Sequence, residues 1–223
     1  MALMMTDFAI GREAMIQRQL KRRGIAEPHI LEAFRQVPRE EFISGEHRRL
    51  AYGDHPLPIE SGQTISQPYI VGLMIQAANI RAGDKVLEVG AGSGYAAAVI
   101  SRIAARVIAI ERQHDLVEVA RERIARLGFD NVEIVEGDGT EGIPAQAPFD
   151  AILAAASGRH VPQPLIDQLH DGGVLVMPLG EEASVQELVK VTKRAGGTVE
   201  RENLGAVRFV PLIGAEGWSD AGS

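Results

Sequence analysis

The segment Glu88-Val89-Gly90-Ala91-Gly92-Ser93-Gly94 has the composition and spacing of a backbone cradle. Glycines let a main chain approach a ligand closely, and a helix starting beyond them offers unpaired N–H groups. The dinucleotide fingerprint wants its third glycine three residues after the second. Here it comes one position early, and Tyr95 stands where that pattern places it. The segment therefore suits a nucleoside-type ligand, with a plain glycine turn as the alternative.

Glu111 closes the next aliphatic run, Val107-Ile108-Ala109-Ile110, on the edge where open α/β sheets bind ligands. A carboxylate there can accept hydrogen bonds from both hydroxyls of a ribose; the alternative is an acid favoured by a helix dipole. Asp138 ends a third run between Gly137 and Gly139, which would let an adenine ring come close; the alternative is a turn aspartate. Three adjacent strand ends, each bringing an acid or a glycine loop to one edge, point to an adenosine-containing ligand. An acid two residues before the first glycine, Glu88, is more typical of methyltransferases than of dehydrogenases. Asp150 precedes its strand, which assigns it to the opposite edge and a structural role. The six histidines show no metal-ligating spacing and are expected at the surface, so no metal is expected.

The elements that must position these residues follow from periodicity. Aliphatic runs at 85–89, 107–110, 132–135, 151–154 and 174–177 alternate with helical patterns, among them 95–104 and a helix repeating Leu116, Ala120, Ile124 and Leu127 before Gly128. Residues 187–192 and 198–202 around Gly196-Gly197 read as a hairpin, and 207–212 as a last extended segment. Upstream, helices are expected over 8–20, from Pro28 to the residues before Pro38, and over 67–78. The stretch 57–68 is too rich in Pro and Gly for a regular element. The fold class is α/β: a doubly wound, mostly parallel, Rossmann-like sheet with an N-terminal helical lobe and a C-terminal hairpin. The lobe spans 1–78 and carries part of the site, the ligand-binding core spans 79–213, and a frayed tail covers 214–223.

A chain of 223 residues, 45% apolar and 24% charged, suits one compact domain. Its net charge of −7 argues against binding nucleic acid, an affinity that comes from Lys and Arg neutralising phosphates. The basic clusters Lys21-Arg22-Arg23 and Arg48-Arg49 sit among acids and read as solvated helix faces. With no cysteine, a disulfide framework, a thiolate metal site and a Cys nucleophile are excluded, which fits a reducing compartment. Asp7 interrupts any early secretory pattern, and no apolar run approaches the ~20 residues of a membrane helix. The expectation is a cytoplasmic monomer that engages neither membrane nor nucleic acid.

Five segments occur in order: Gln63-Thr64-Ile65-Ser66-Gln67-Pro68-Tyr69, Val86 through Tyr95, Gly137-Asp138-Gly139, Ala147-Pro148-Phe149-Asp150-Ala151-Ile152 and Val207-Arg208-Phe209-Val210-Pro211-Leu212. Together they resemble the protein-L-isoaspartate (D-aspartate) O-methyltransferase family over residues 15–212. The glycine loop is shared with many methyltransferases; the Thr-Ile-Ser-Gln-Pro segment and the Val-Arg-Phe-Val-Pro-Leu ending are more particular. The resemblance implies a cytosolic repair enzyme of the S-adenosylmethionine-dependent methyltransferase fold, acting on the α-carboxylate of L-isoaspartyl residues in peptides and proteins. It implies that Ser66 is the active-site serine and that Gln63, Thr64 and Ile65 line the cofactor beside Glu88, Gly90, Gly92, Ser93 and Gly94. Glu111 would hold the ribose, Asp138 and Gly139 the adenine, and Leu57, Pro58, Ile59 and the strand around Val210 the substrate backbone. Two departures stand out. Glu60-Ser61 precede Gly62 where the family has glycine directly, so Glu60 would repel an anionic substrate; and Ala155-Ala156-Ser157-Gly158-Arg159-His160 is more polar than the family's segment.

The residues suit this chemistry. An isoaspartyl carboxylate, with a pKa near ~4, is already an anion at neutral pH and needs no general base. A strong Arg clamp would stabilise that anion more than the charge-dispersed transition state, so a neutral donor such as Ser66 or a backbone N–H is preferable. Alignment supplies much of the acceleration, with effective molarities of ~10⁵ M or more. The alternative for Ser66 is an N-cap for the helix entered through Pro68. Rival functions are an S-adenosylmethionine-dependent methyltransferase for a small-molecule carboxylate, a nicotinamide-dependent dehydrogenase, which the glycine spacing opposes, and a non-catalytic S-adenosylmethionine-binding module.

Overall fold

The computed structural model describes residues 2–181 and 184–219. Helix α1 (Ala2–Met15) runs into a wider turn at Ile16–Leu20 and a tighter one at Lys21–Arg23, and the path breaks at Gly24, whose φ is 94°. Helix α2 (Pro28–Gln36) starts on its proline, buries Ile30, Leu31, Ala33 and Phe34, and stops before Pro38, which cannot continue a helix. Strands β1 (Leu57–Pro58) and β2 (Thr64–Ile65) pair Leu57 with Ile65 and Pro58 with Thr64, so the stretch expected to be irregular contains a tight two-stranded ribbon. Helix α3 (Pro68–Ala78) follows and ends at Asn79 in a left-handed conformation.

From there strands and helices alternate: β3 (Lys85–Val89), α4 (Tyr95–Ser101), β4 (Arg106–Glu111), α5 (His114–Arg126), β5 (Val132–Glu136), β6 (Phe149–Ala154), α6 (Gln163–Asp167), β7 (Leu169–Leu179), β8 (Gln186–Lys193) and β9 (Val199–Val207). The seven-stranded sheet has the order β5-β4-β3-β6-β7-β8-β9. The first five strands in that order are parallel to their neighbours, and β8 and β9 form an antiparallel hairpin on one side. Order reverses between β3 and β6, the place where open α/β sheets form a crevice.

Both sheet faces are covered, which explains runs that are apolar at nearly every position. Val86, Val107, Ala109, Ala151, Leu153 and Val176 point into a core shared with Leu20, Ile25, Phe34, Phe42, Ile75 and α5. Leu87, Val89, Ile108, Ile110, Ile152 and Leu175 face a second cluster closed by Leu165 and Leu169. The N-terminal lobe is thus packed into the first of these cores rather than set apart from it. Asp150 lies at the far edge, where its Oδ2 accepts the Lys85 N–H at 2.7 Å.

Two expectations require correction. Residues 207–212 do not form a strand: β9 ends at Val207, Gln186 Oε1 accepts the Phe209 N–H at 2.7 Å, and Pro211 has no N–H to give a ladder. This segment instead bridges to Ser157, which donates its N–H to Val210 O and accepts the Leu212 N–H, each at 2.8 Å. Nor is the tail frayed where it is described. Trp218 is buried, its Nε1–H donates to Ser157 O at 2.9 Å, and its own N–H donates to Leu212 O at 2.8 Å. Burying an indole with its N–H satisfied outweighs the polar composition that suggested disorder. Residues 220–223 of that tail lie outside the described residues.

Candidate active site

The glycine loop hangs from β4. The N–H groups of Gly90 and Ala91 both donate to Ile110 O, at 2.9 and 3.1 Å. Gly90, Gly92 and Gly94 have φ of 86°, 52° and 85°, a region that side chains with a Cβ rarely adopt. Glu111, the last residue of β4, is the second anchor: its Oε2 accepts the Gly92 N–H at 3.0 Å, and its Oε1 accepts those of Arg112 at 2.9 Å and Gln113 at 3.1 Å. A carboxylate offers about four acceptor positions, so at least one remains for a ligand hydroxyl.

Glu88 lies on the other side of the same cavity, of about 210 Å³, and is almost fully buried. Its Oε2 has no hydrogen-bond partner. Burial first, then repulsion from the Glu111 carboxylate, pushes its pKa up to about 8, while the Ala97 backbone pulls the other way. A buried carboxyl with one oxygen unpartnered, beside a carboxylate, makes a site that favours a cation.

Gln63, Thr64, Ile65 and Ser66 close the cavity from the N-terminal lobe, together with Gly90, Gly92, Ser93 and Gly139. A Cβ on Gly139 would lie 2.5 Å from Val89 Cγ1, so glycine lets the loop after β5 approach the end of β3. Ser66 also lines a second, open cleft of about 580 Å³ that continues past Ile70, Val207, Phe209 and Val210. It therefore stands at the junction of the two spaces. The cap residue of α3 is Gln67, without a side-chain cap bond, so Ser66 does not cap that helix.

Other expected residues fall elsewhere. Asp138 does not line the cavity. Its Oδ1 accepts the N–H and hydroxyl of Thr140 at 2.8 and 2.7 Å, and its Oδ2 accepts the Ala215 N–H at 2.7 Å. Burial opposes its ionisation, but the Ala215 N–H and the Thr140 donors outweigh that and hold its pKa below the ordinary range. Its carboxylate clasps the C-terminal segment, whose folded tail supplies the Ala215 N–H. Gly94 packs beneath the loop against Ala120 and Ile124. Leu57 and Ile59 are buried, with Ile59 under Gly92, and Pro58 is exposed; none of the three lines either space. Arg112 and Gln113, directly after Glu111, do line the cavity, as do Ala155, Phe209 and Leu212. The signal for the first two was their place after a strand end; Phe209 and Leu212 belonged to a segment read as strand.

The sequence model of the protein-L-isoaspartate(D-aspartate) O-methyltransferase family matches residues 11–217. The chain belongs to this family. A protein-L-isoaspartate O-methyltransferase 2 from Pelobacter propionicus is 53% identical over 207 residues, 93% of this chain and 92% of that one. A solved protein-L-isoaspartate O-methyltransferase superposes with a TM-score of 0.83 at 31% identity, covering 92% of this chain and 66% of the longer one. A Plasmodium falciparum structure described as a putative member, in complex with S-adenosyl-L-homocysteine, gives a TM-score of 0.78 at 29% identity over 91% of this chain and 98% of that one.

Within this methyltransferase family the departure at Glu60 acquires a local explanation. Arg123 of α5 donates Nη2–H to Glu60 Oε1 at 2.7 Å and Nη1–H to Oε2 at 3.3 Å. Burial acts against ionisation of Glu60, but its backbone, Arg123 and Ser44 outweigh it and keep the carboxyl low. Its charge is therefore neutralised by a bidentate partner, and Glu60 lines neither space, so the expected repulsion of an anionic substrate is removed. The pair instead ties the ribbon of β1 and β2 to the helix behind the glycine loop.

Proposed function

We propose that this methyltransferase moves a methyl group from S-adenosylmethionine to the α-carboxylate of L-isoaspartyl residues in damaged proteins. The carrying observation is Ser66, a hydroxyl with no hydrogen bond among the described residues, where the cavity lined by the glycine loop meets the open cleft. S-adenosylmethionine supplies an electrophilic methyl on a cationic sulfur. The buried Glu88, with its Oε2 unpartnered, suits the cationic part of that molecule. Glu111 holds Gly92 in place and keeps an acceptor for a ribose hydroxyl. Gln63, Thr64 and Ile65 shield the cavity from solvent, Gly139 leaves room at the β5 edge, and the Asp138 clasp fixes the wall beside it. Ser66 donates to the acceptor carboxylate, a neutral contact that orients the anion without burying it against a full positive charge. Val210 and Phe209 line the cleft for the peptide. Because carboxylate and sulfonium cancel as the bond forms, the reaction needs no proton transfer, which fits a site without a histidine in its lining.

Among the described residues no helix is long and apolar enough to cross a membrane. We place the chain in the cytoplasm as a monomer acting on peptide and protein substrates, with no role in binding nucleic acid. The test offers labelled S-adenosylmethionine with an isoaspartyl peptide, its aspartyl isomer and small carboxylic acids. Transfer to the isoaspartyl peptide alone is expected. Equal transfer to both isomers, or transfer only to a small acid, refutes the substrate.

A further inference from the structure

The open cleft beyond Ser66 is lined by twelve residues: the proposed catalytic serine, ten other uncharged residues and Arg208. Arg208 is exposed and, among the described residues, makes no hydrogen bond or ion pair. On the neighbouring hairpin, Glu187, in register with Ala206, pairs with Arg201 at 3.5 Å. In a chain of net charge −7, a lone guanidinium in an otherwise neutral cleft is a local exception that a bound partner can answer.

We propose that Arg208 is a specificity residue that selects isoaspartyl substrates carrying an acidic side chain close to the damaged site. This inference rests on the proposed function and adds the substrate's neighbouring chemistry. Ser66 and the cofactor cavity fix where the reacting carboxylate must sit, so a peptide leaving the site runs along the cleft that contains Arg208. A carboxylate on that peptide reaches a cation that no other group among the described residues pairs with, while apolar neighbours meet Ile70 and Phe209. Arg208 does not hold the reacting carboxylate, which a guanidinium would stabilise more before transfer than during it. Its contact is with a group that stays charged throughout, so it acts on substrate affinity rather than on the methyl-transfer step.

The experiment measures kcat and KM for isoaspartyl peptides with Glu, Gln or Lys placed in turn at each of the two positions on either side. An exposed pair is modest, so the expected preference for Glu over Gln is about two- to five-fold in KM at one or two positions. The order is Glu, Gln, Lys with kcat little changed, and the preference shrinks at high ionic strength. In Arg208→Gln the ratio between Glu and Gln peptides falls to about one, and Arg208→Lys retains part of it. Equal KM across all placements in the native enzyme overturns the proposal, as does a preference that survives Arg208→Gln. If that variant does not fold, a salt-insensitive preference in the native enzyme is also refuting. Failure to methylate any isoaspartyl peptide, neutral flanks included, strikes instead at the function on which this inference stands.

Discussion

Glu88 offers the sharpest test of the cofactor cavity. Its carboxyl has an ordinary value of 4.5 and is pushed up to about 8, chiefly by burial and then by Glu111. A carboxyl raised on folding contributes stability that is fully present below about pH 4.5 and lost as pH rises through about 8. At 1.36 kcal/mol per pH unit the gap is worth up to about 5 kcal/mol. Glu88→Gln keeps the shape and removes the charge, so its melting temperature should rise relative to the native protein as pH goes from 5 to 9. For a chain of this size each kcal/mol moves the midpoint by about 2–4 °C. Binding gives the second readout. A cationic ligand favours the ionised form, so below pH 8 S-adenosylmethionine binding should release close to one proton and tighten as pH rises. Calorimetry at pH 6.5 in buffers of different ionisation enthalpy measures that number directly. The Gln variant should bind more weakly and release none. Parallel melting curves across the pH range, or the same proton release in both proteins, would falsify the account of Glu88.

Other consequences are equally specific. Gly139→Ala places a Cβ 2.5 Å from Val89 Cγ1 and should cost about 1–3 kcal/mol in denaturant unfolding, with Val89→Ala restoring part of it. Ser66→Ala should lower kcat at least ten-fold while the melting temperature stays within a degree or two, since the residue makes no cap bond; a large loss of stability at normal specific activity would reverse that reading. Trp218→Ala removes a buried indole and its bond to Ser157 O, and should destabilise by about 3–5 kcal/mol, whereas a frayed tail would tolerate it.

Much of the architecture was legible because it depends on patterns local to the sequence. The runs at β3, β4 and β6 are buried on both faces and so are apolar almost throughout, and Pro28, Pro68 and Gly128 mark helix ends by fixed backbone preferences. The glycine loop and Glu111 were legible for the same reason: a strand end, its glycines and the next acid are close in sequence. What was not legible depends on partners far apart in the chain. Nothing near Glu60 announces Arg123, and nothing near Asp138 announces the Ala215 N–H. The ending at 207–212 alternates like a strand, yet a side chain of Gln186 and the backbone of Ser157 take the bonds that a neighbouring strand would have taken. Leu57 and Ile59 were assigned to substrate by resemblance, and only the packing of the folded chain sets them in the core, Ile59 beneath Gly92.

The reversal of strand order between β3 and β6 divides labour across the sheet. The cavity takes residues 88–93, 110–113 and 139 from the β3–β5 side, while the open cleft takes residues 185 and 206–210 from the hairpin side. The two spaces share Thr64, Ser66, Ala155, Phe209 and Val210. Val185, Ala206, Val207 and Arg208 line only the open cleft, so drift confined to those positions can retune which damaged chains are accepted while the lining of the other cavity stays intact, whereas a change at Phe209 or Val210 alters both.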